Sequence, residues 1–290
     1  MSYTTVVSTD LLAAHLNAWA VVDCRFDLRD AKWGREQYRA GHIPGAVYAS
    51  LATDLAAPRT GRNGRHPLPS PDALAATFGR LGISRRDQVV VYDQDAGLFA
   101  ARLWWSLRYL GHDNVALLDG GWAKWIREGR PIGTGDDVRP ATTFEARPRP
   151  EMRVDVAEVA SRVGDDRTVL IDARGPDRFE GRNETLDPAS GHIPGARNVF
   201  YKSNLAEDGT ILPSAQLHEQ FQQVLGGRAP ADAVMYCGSG VSACLNLLAM
   251  EHAGLPGPKL YVGSWSEWSS DPARPIETGP VAIESQRRSS

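Results

Sequence analysis

The feature that most constrains the fold is an internal duplication. The segment Gly41-His42-Ile43-Pro44-Gly45-Ala46 recurs unchanged at positions 191–196, and three more segments match in the same order at nearly constant spacing. A period this long is too large for a solenoid repeat, so the sequence predicts two copies of a whole domain. The other matched pairs are Val21–Arg25 with Leu170–Arg174, Val89–Tyr92 with Ala233–Tyr236, and Leu118–Trp122 with Tyr261–Trp265.

Within each copy, short apolar runs alternate with helical patterns. Strands without polar alternation that are separated by helices predict an α/β fold, with a parallel sheet flanked by helices in each domain. We predict a first domain over 1–133, a linker rich in Gly, Pro and charge over 134–150, a second domain over 151–279 and a flexible tail over 280–290. Ser70-Pro71-Asp72 has the N-cap and first-turn residues of a helix start.

Charge and cysteine content narrow the functional class. The net charge of -3 and pI near 6.2 give no basic field, so nucleic acid is not an expected partner. Three irregularly spaced cysteines do not predict a disulfide framework, which favours a reducing compartment. No secretory signal or membrane-length apolar stretch is present, so we expect a cytoplasmic protein without membrane contact. We also expect neither a metal nor a cofactor.

The second copy carries a cysteine loop with the pattern of a nucleophile. Cys237 follows the apolar run Ala233–Tyr236, and small residues lead from it into a helical stretch. At such a junction the backbone N–H groups and the helix dipole favour thiolate over thiol. We therefore expect Cys237 to be an exposed, reactive and readily oxidised thiolate. Cys24 and Cys244 lack this setting and are interpreted as packing residues.

The first copy has lost that cysteine. Asp93 stands where the second copy has Cys237, and Asp95 adds another negative charge. We expect these carboxylates to repel an anion, so that the first domain keeps the scaffold without the chemistry. An acid–base or metal site at Asp93 and Asp95 is the alternative. His42 and His192, which recur in both copies, are interpreted as structural, and Arg25 and Arg174 as partners of carboxylates.

The chain resembles the two-domain rhodanese-like sulfurtransferases over nearly its whole length. The marks are the paired Gly-His-Ile-Pro-Gly-Ala segments, the cysteine loop, and the segment Gly263–Trp268. The loop Cys-Gly-Ser-Gly-Val, followed by Ser242 and Ala243, is most similar to that of 3-mercaptopyruvate sulfurtransferases. The resemblance implies that Cys237 takes a sulfane sulfur from a small-molecule donor, becomes a persulfide, and passes the sulfur to cyanide, a thiol or a thioredoxin-like protein.

The resemblance also implies roles for other residues. Arg178 matches the family's donor-binding arginine, and His66 matches a histidine that the first domain brings to the cleft. A second family arginine is replaced by Asp187, and Arg182 is a nearby candidate for its role, which the sequence leaves open. Ala52 occupies the family's aspartate position, with Asp54 close by. The remaining candidates lie in the cysteine loop: Ser239 and Ser242 as hydrogen-bonding or proton-relaying groups, and Gly238, Gly240 and Val241 as backbone contacts to the donor.

Three other functions remain open at the level of sequence. A thiosulfate sulfurtransferase would use the same cysteine with another donor. A cysteine-dependent phosphatase needs an arginine after five loop residues, where this chain has Ala243, so a phosphate would lack its main partner. A non-enzymatic sulfur carrier or binding module is the third.

Overall fold

The structure is a computed structural model that describes residues 2–94 and 96–280. This part of the chain forms two five-stranded sheets with helices on both sides of each sheet. Asp95 and positions 281–290 of the predicted tail lie outside the described residues. The domain limits drawn from the sequence remain predictions.

The two copies have the same order of elements. In the first copy these are β1 Val6–Val7, α1 Thr9–Ala13, β2 Ala20–Asp23, α2 Trp33–Ala40, β3 Val47–Tyr48, α3 Pro71–Arg80, β4 Val89–Tyr92, α4 Ala100–Tyr109, β5 Val115–Leu118 and α5 Gly121–Arg127. In the second they are β6 Arg153–Val154, α6 Val156–Arg162, β7 Val169–Asp172, α7 Pro176–Phe179, β8 Arg197–Asn198, α8 Ser214–Leu225, β9 Ala233–Tyr236, α9 Ala243–His252, β10 Lys259–Tyr261 and α10 Ser264–Trp268.

Both sheets are entirely parallel and have equivalent strand orders. The orders are β1-β5-β4-β2-β3 and β6-β10-β9-β7-β8. All four residues of β2, β4, β7 and β9 are buried, because helices cover both faces of each sheet. The predicted α/β duplication is confirmed. The edge strand β1 was missed by the sequence pattern, since its two residues are too few to show a periodicity.

A buried ion pair fixes the carboxyl end of one inner strand in each copy. Arg25 contacts Asp23 at 2.7 Å, and Arg174 contacts Asp172 at 2.6 Å. Each guanidinium also donates to the carbonyl of the glycine that opens the Gly-His-Ile-Pro segment. The predicted pairing of these arginines with carboxylates is therefore confirmed, and its function is to hold that segment against the sheet.

Each of the repeated histidines contacts the C-terminal segment of its own domain. His42 Nδ1 lies 2.7 Å from the carbonyl oxygen of Tyr38, and its Nε2 lies 3.0 Å from Asp137. His192 is placed in the same way, 2.8 Å from the carbonyl of Phe179. Both rings stack on an aromatic neighbour. These contacts agree with the structural interpretation of both histidines.

The two copies pack against each other through α4 and α9. Arg108 on α4 forms a 2.8 Å ion pair with Glu251 on α9 across this interface. The segment after the first domain runs back along that domain. There the backbone N–H of Thr142 donates to the carbonyl of Gly79, and that of Arg149 donates to the carbonyl of Tyr109. This packing places the carboxyl end of the second sheet beside loops of the first domain.

We expect Asp23→Ala to lower the free energy of unfolding by about 3–5 kcal/mol, because it leaves Arg25 buried without its carboxylate. Asp27→Ala is the matched control, since Asp27 and Arg29 form the same two-residue-spaced pair on the surface. Urea unfolding monitored by tryptophan fluorescence would compare the two variants. Equal effects would show that burial does not set the strength of this pair.

Candidate active site

Cys237 lies at the carboxyl end of β9, inside the cleft between the two domains. The cysteine directly follows the strand, and α9 begins six residues later at Ala243. Its side chain is only 2% exposed. The predicted exposure of Cys237 is therefore wrong, because α10 and residues of the first domain pack against the cysteine loop. The free, buried state of Cys24 and Cys244 agrees with their interpretation as packing residues.

The start of α10 fixes the backbone of the cysteine loop. The N–H groups of Trp265 and Ser266 donate to the carbonyls of Cys237 and Gly238, both at 2.9 Å. The N–H of Cys237 donates to Ser264 Oγ at 3.2 Å. Ser264 has a φ of 56°, a left-handed conformation that costs energy in a non-glycine residue. The Gly263–Trp268 segment thus serves to hold the loop.

Beyond Cys237 the loop keeps its N–H groups unengaged. Within the described residues, no acceptor takes a hydrogen bond from the N–H groups of residues 238–243. Gly240 has a φ of +72°, and a Cβ on it would lie 2.3 Å from the carbonyl oxygen of Val262. Only glycine fits there. A loop of donors without acceptors, at a helix N-terminus, is suited to hold an anion.

The first copy shows how a loop of this kind holds an anion. The carboxylate of Asp93 accepts N–H groups from Gly97, Phe99 and Ala100 at 3.0, 2.7 and 2.9 Å. The Asp93 side chain itself takes up these N–H groups, and the expectation that it repels a bound anion stays a prediction. Counted in residues from the preceding strand, Val241 occupies the position of Gly97, and Ala243 occupies that of Phe99. The alternative site that included Asp95 lies partly outside the described residues.

His66 and Ser239 meet across the domain boundary. His66 Nδ1 lies 2.8 Å from Ser239 Oγ. Burial, reinforced by the positive charges of Arg102 and Arg65, lowers the pKa of His66 to about 3. The imidazole is therefore neutral near pH 7 and is able to exchange a proton with the serine hydroxyl.

Two arginines flank Gly238. A Cβ on Gly238 would lie 2.5 Å from Nη2 of Arg65 and 3.4 Å from Nη1 of Arg178. Arg178 also donates to Glu184 at 2.7 Å, and both arginines contact the buried Asp187, with Arg65 Nε 2.9 Å from its carboxylate. The two guanidinium groups thus form a linked cationic pair beside the cysteine loop, although two carboxylates offset their charge.

The sequence reasoning missed Arg65. It directly precedes His66, but no spacing or repeat distinguishes it from the other arginines of that Gly-rich loop. Its position depends on the packing of the first domain on the second, where its N–H also donates to Ser266 Oγ at 2.9 Å. Asp187, noted only as a departure from the family, connects Arg65 with Arg178.

Some predicted residues have contacts elsewhere. Arg182 pairs with Glu180 at 2.8 Å, and its side chain is 66% exposed. Asp54 accepts the N–H of Ser50 at 2.8 Å and also contacts Arg80, so it serves its own loop. Among the remaining loop candidates, Val241 is buried and Ser242 is half-buried at the start of α9.

Cys244 lies on the inner side of the same loop. Its thiol donates to the carbonyl oxygen of Gly240 at 3.4 Å. Burial raises the pKa of Cys244 to about 12, against the opposing effect of Arg102. This thiol is therefore uncharged near neutral pH.

Comparison with known proteins identifies the family. The model of the rhodanese-like domain matches residues 8–128 and again 155–271. The chain belongs to the rhodanese-like family. It is 45% identical to a Pseudomonas aeruginosa protein named "Probable 3-mercaptopyruvate sulfurtransferase", over 96% of this chain and 100% of that protein. It is 33% identical to the thiosulfate sulfurtransferase of Gallus gallus, over 82% of this chain and 84% of that protein.

A solved structure supports the same assignment. The 3-mercaptopyruvate sulfurtransferase from Leishmania major superposes with a TM-score of 0.82 at 32% identity, over 92% of this chain and 74% of that one. The predicted tandem rhodanese-like architecture and the sulfurtransferase class are thereby confirmed. None of the helices in the described part of this sulfurtransferase is both long enough and apolar enough to cross a bilayer.

We expect the imidazole of His66 to stay neutral down to about pH 4, because burial and two nearby guanidinium groups disfavour its charged form. NMR chemical shifts of the histidine rings between pH 4 and 8 would measure this, with His66→Gln identifying the His66 signals. A titration of His66 near 6.5, the value for an unperturbed histidine, would contradict the prediction.

Proposed function

We propose that Cys237 carries a sulfane sulfur from 3-mercaptopyruvate to a thiophilic acceptor. The observation that carries the proposal is the cysteine loop: in the described part of the chain the N–H groups of residues 238–243 lack acceptors, while the matching loop of the first copy holds the carboxylate of Asp93. A thiolate and the persulfide formed from it are both anions, so the same donors stabilise the enzyme before and after sulfur transfer.

The first half-reaction cleaves the carbon–sulfur bond of the donor. The Cys237 thiolate attacks the donor sulfur, a sulfur–sulfur bond forms, and the bonding electron pair leaves with the carbon as the enolate of pyruvate. The proton of the donor thiol ends on that carbon, so the products are pyruvate and an anionic persulfide. Ser239 and the neutral His66, 2.8 Å apart, are the groups proposed to relay this proton.

The second half-reaction returns the enzyme to its starting state. The acceptor attacks the outer sulfur of the persulfide, and the sulfur–sulfur bond breaks with its electron pair left on Cys237. With cyanide the product is thiocyanate, and charge balances because one anion replaces another. A thiol or a thioredoxin-like protein is the proposed acceptor in the cell.

The two arginines beside Gly238 favour a donor with a carboxylate. Nη1 of Arg178 has no hydrogen-bond partner among the described residues. This atom and Nη2 of Arg65 both lie on the side of the cysteine loop. A 2-oxo acid presents its carboxylate and carbonyl oxygens to such a pair. Roles for Gly238, Gly240, Val241 and Ser242 in backbone contacts to the donor, and for Arg182, remain predictions from the sequence.

Thiosulfate is the second candidate donor, since arginines also bind sulfonate oxygens and a thiosulfate sulfurtransferase is among the relatives. The charged side chains around this subsite favour mercaptopyruvate, whose carboxylate carries one negative charge. Glu184 and Asp187 offset the two guanidinium groups, so the subsite has little net positive charge for a dianion.

Cys237→Ser should abolish sulfur transfer with either donor. Mass spectrometry after incubation with 3-mercaptopyruvate should show one added sulfur on wild-type Cys237, removed by a thiol, and none on the variant. Cys24→Ser is the control, because Cys24 is buried in the first domain. Turnover retained by Cys237→Ser would refute the proposed function.

Arg65→Gln and Arg178→Gln should each lower kcat/KM for 3-mercaptopyruvate about tenfold or more, because each removes a charge-assisted hydrogen bond to the donor. The effect should appear mainly in KM. Arg167→Gln, which breaks an exposed pair with Asp165, is the control. In wild type, kcat/KM should be higher for 3-mercaptopyruvate than for thiosulfate, and a large preference for thiosulfate would reverse the choice of donor.

A further inference from the structure

The first domain places a buried arginine beneath the cysteine loop of the second. Arg102 lies on α4 and is 0% exposed. Its Nη1 donates to the carbonyl of Gly240 at 2.8 Å, and its Nη2 donates to the carbonyl of His66 at 3.3 Å. Its Nε is buried with no hydrogen-bond partner in the described structure.

Among the described residues, no carboxylate pairs with the guanidinium of Arg102, and the ring of Trp105 lies 5.9 Å from it. Both of its hydrogen-bonding nitrogens donate to carbonyl oxygens, and its neighbouring acidic groups are the thiols of Cys244 and Cys237. Burial lowers the pKa of Arg102, which shows that its surroundings disfavour the positive charge. Burying an unpaired charge costs free energy, so a nearby anion would stabilise the guanidinium of Arg102.

Of the two neighbouring sulfurs, one is unsuited to be that anion. Cys244 donates its proton to the carbonyl of Gly240, and burial raises its pKa to about 12. Cys237 remains, on a loop whose N–H groups have no acceptors among the described residues. The guanidinium, which donates to the Gly240 carbonyl, and these N–H groups belong to or contact the same loop that carries the Cys237 sulfur.

The second copy lacks an equivalent cation. Asn246 follows Cys237 at the same distance at which Arg102 follows Asp93. Asn246 is neutral and is satisfied within its own domain, where it donates to the carbonyl of Val199 at 2.8 Å and accepts from Asn204 at 2.7 Å. The duplicated helices thus differ at this position, and the arginine is on the helix that reaches the cysteine loop of the other domain.

We propose that Arg102 is a positioning residue for sulfur transfer, the buried counter-ion through which the first domain stabilises the anionic forms of Cys237. This inference rests on the proposed function of Cys237 and adds a charge that lies outside the donor pocket. The first domain then contributes to the chemistry through electrostatics, although it has no cysteine of its own in the matching loop.

The test measures how fast iodoacetamide alkylates Cys237 as a function of pH, with mass spectrometry used to follow this cysteine alone. Arg102→Gln keeps a donor for the Gly240 carbonyl but removes the charge, so we expect alkylation at pH 7 to fall about tenfold and the pH midpoint of the reaction to rise by about one unit. Arg102→Lys keeps the charge and should retain a midpoint close to that of wild type.

The control is Arg108→Gln, which breaks the ion pair with Glu251 on the same pair of helices without touching the loop. Its alkylation midpoint should equal that of wild type. If Arg102→Gln keeps the wild-type midpoint, or Arg108→Gln shifts it equally, Arg102 serves packing alone and the proposal is overturned.

The lysine variant decides the question even if Arg102→Gln does not fold. A midpoint raised by a unit or more in folded Arg102→Lys would show that charge at this position is not what favours the anion. Failure of this inference is distinct from failure of the proposed function, which is judged by turnover and persulfide formation in Cys237→Ser.

Discussion

The sulfur transfer proposed for this chain depends on stabilising an anionic sulfur at a position that is almost closed to water. Cys237 is 2% exposed, so water contributes little to stabilising its charge. The N–H groups of the following loop have no acceptor among the described residues, and α10 fixes the loop by donating to the carbonyls of Cys237 and Gly238. Rigid placement of these dipoles is what makes them effective in a buried site.

Duplication provided two copies of this loop, and they have diverged in charge. In the first copy the Asp93 carboxylate accepts three N–H groups, and the loop is closed by its own side chain. In the second, a cysteine at the matching position leaves the same kind of loop open to a reacting group. The scaffold that keeps both loops in place, with Asp23–Arg25 and Asp172–Arg174 at the strand ends, is unchanged.

The first domain therefore does more than support the second. It brings His66 to Ser239, Arg65 to the edge of the proposed donor subsite and Arg102 to the inner side of the cysteine loop. Each of these contacts crosses the domain boundary. The second domain alone would lack these three groups.

The sequence by itself determined the duplication, the parallel α/β fold and the structural role of the repeated histidines, and it predicted the reactive cysteine. These depend on local patterns, such as an apolar run followed by a glycine loop, which are read along the chain. Only the tertiary structure decided the burial of Cys237, the placement of Arg65 and Arg102, and the surface position of Arg182. Such features arise where residues far apart in sequence pack together. The sequence around an arginine does not indicate which domain its guanidinium group will contact.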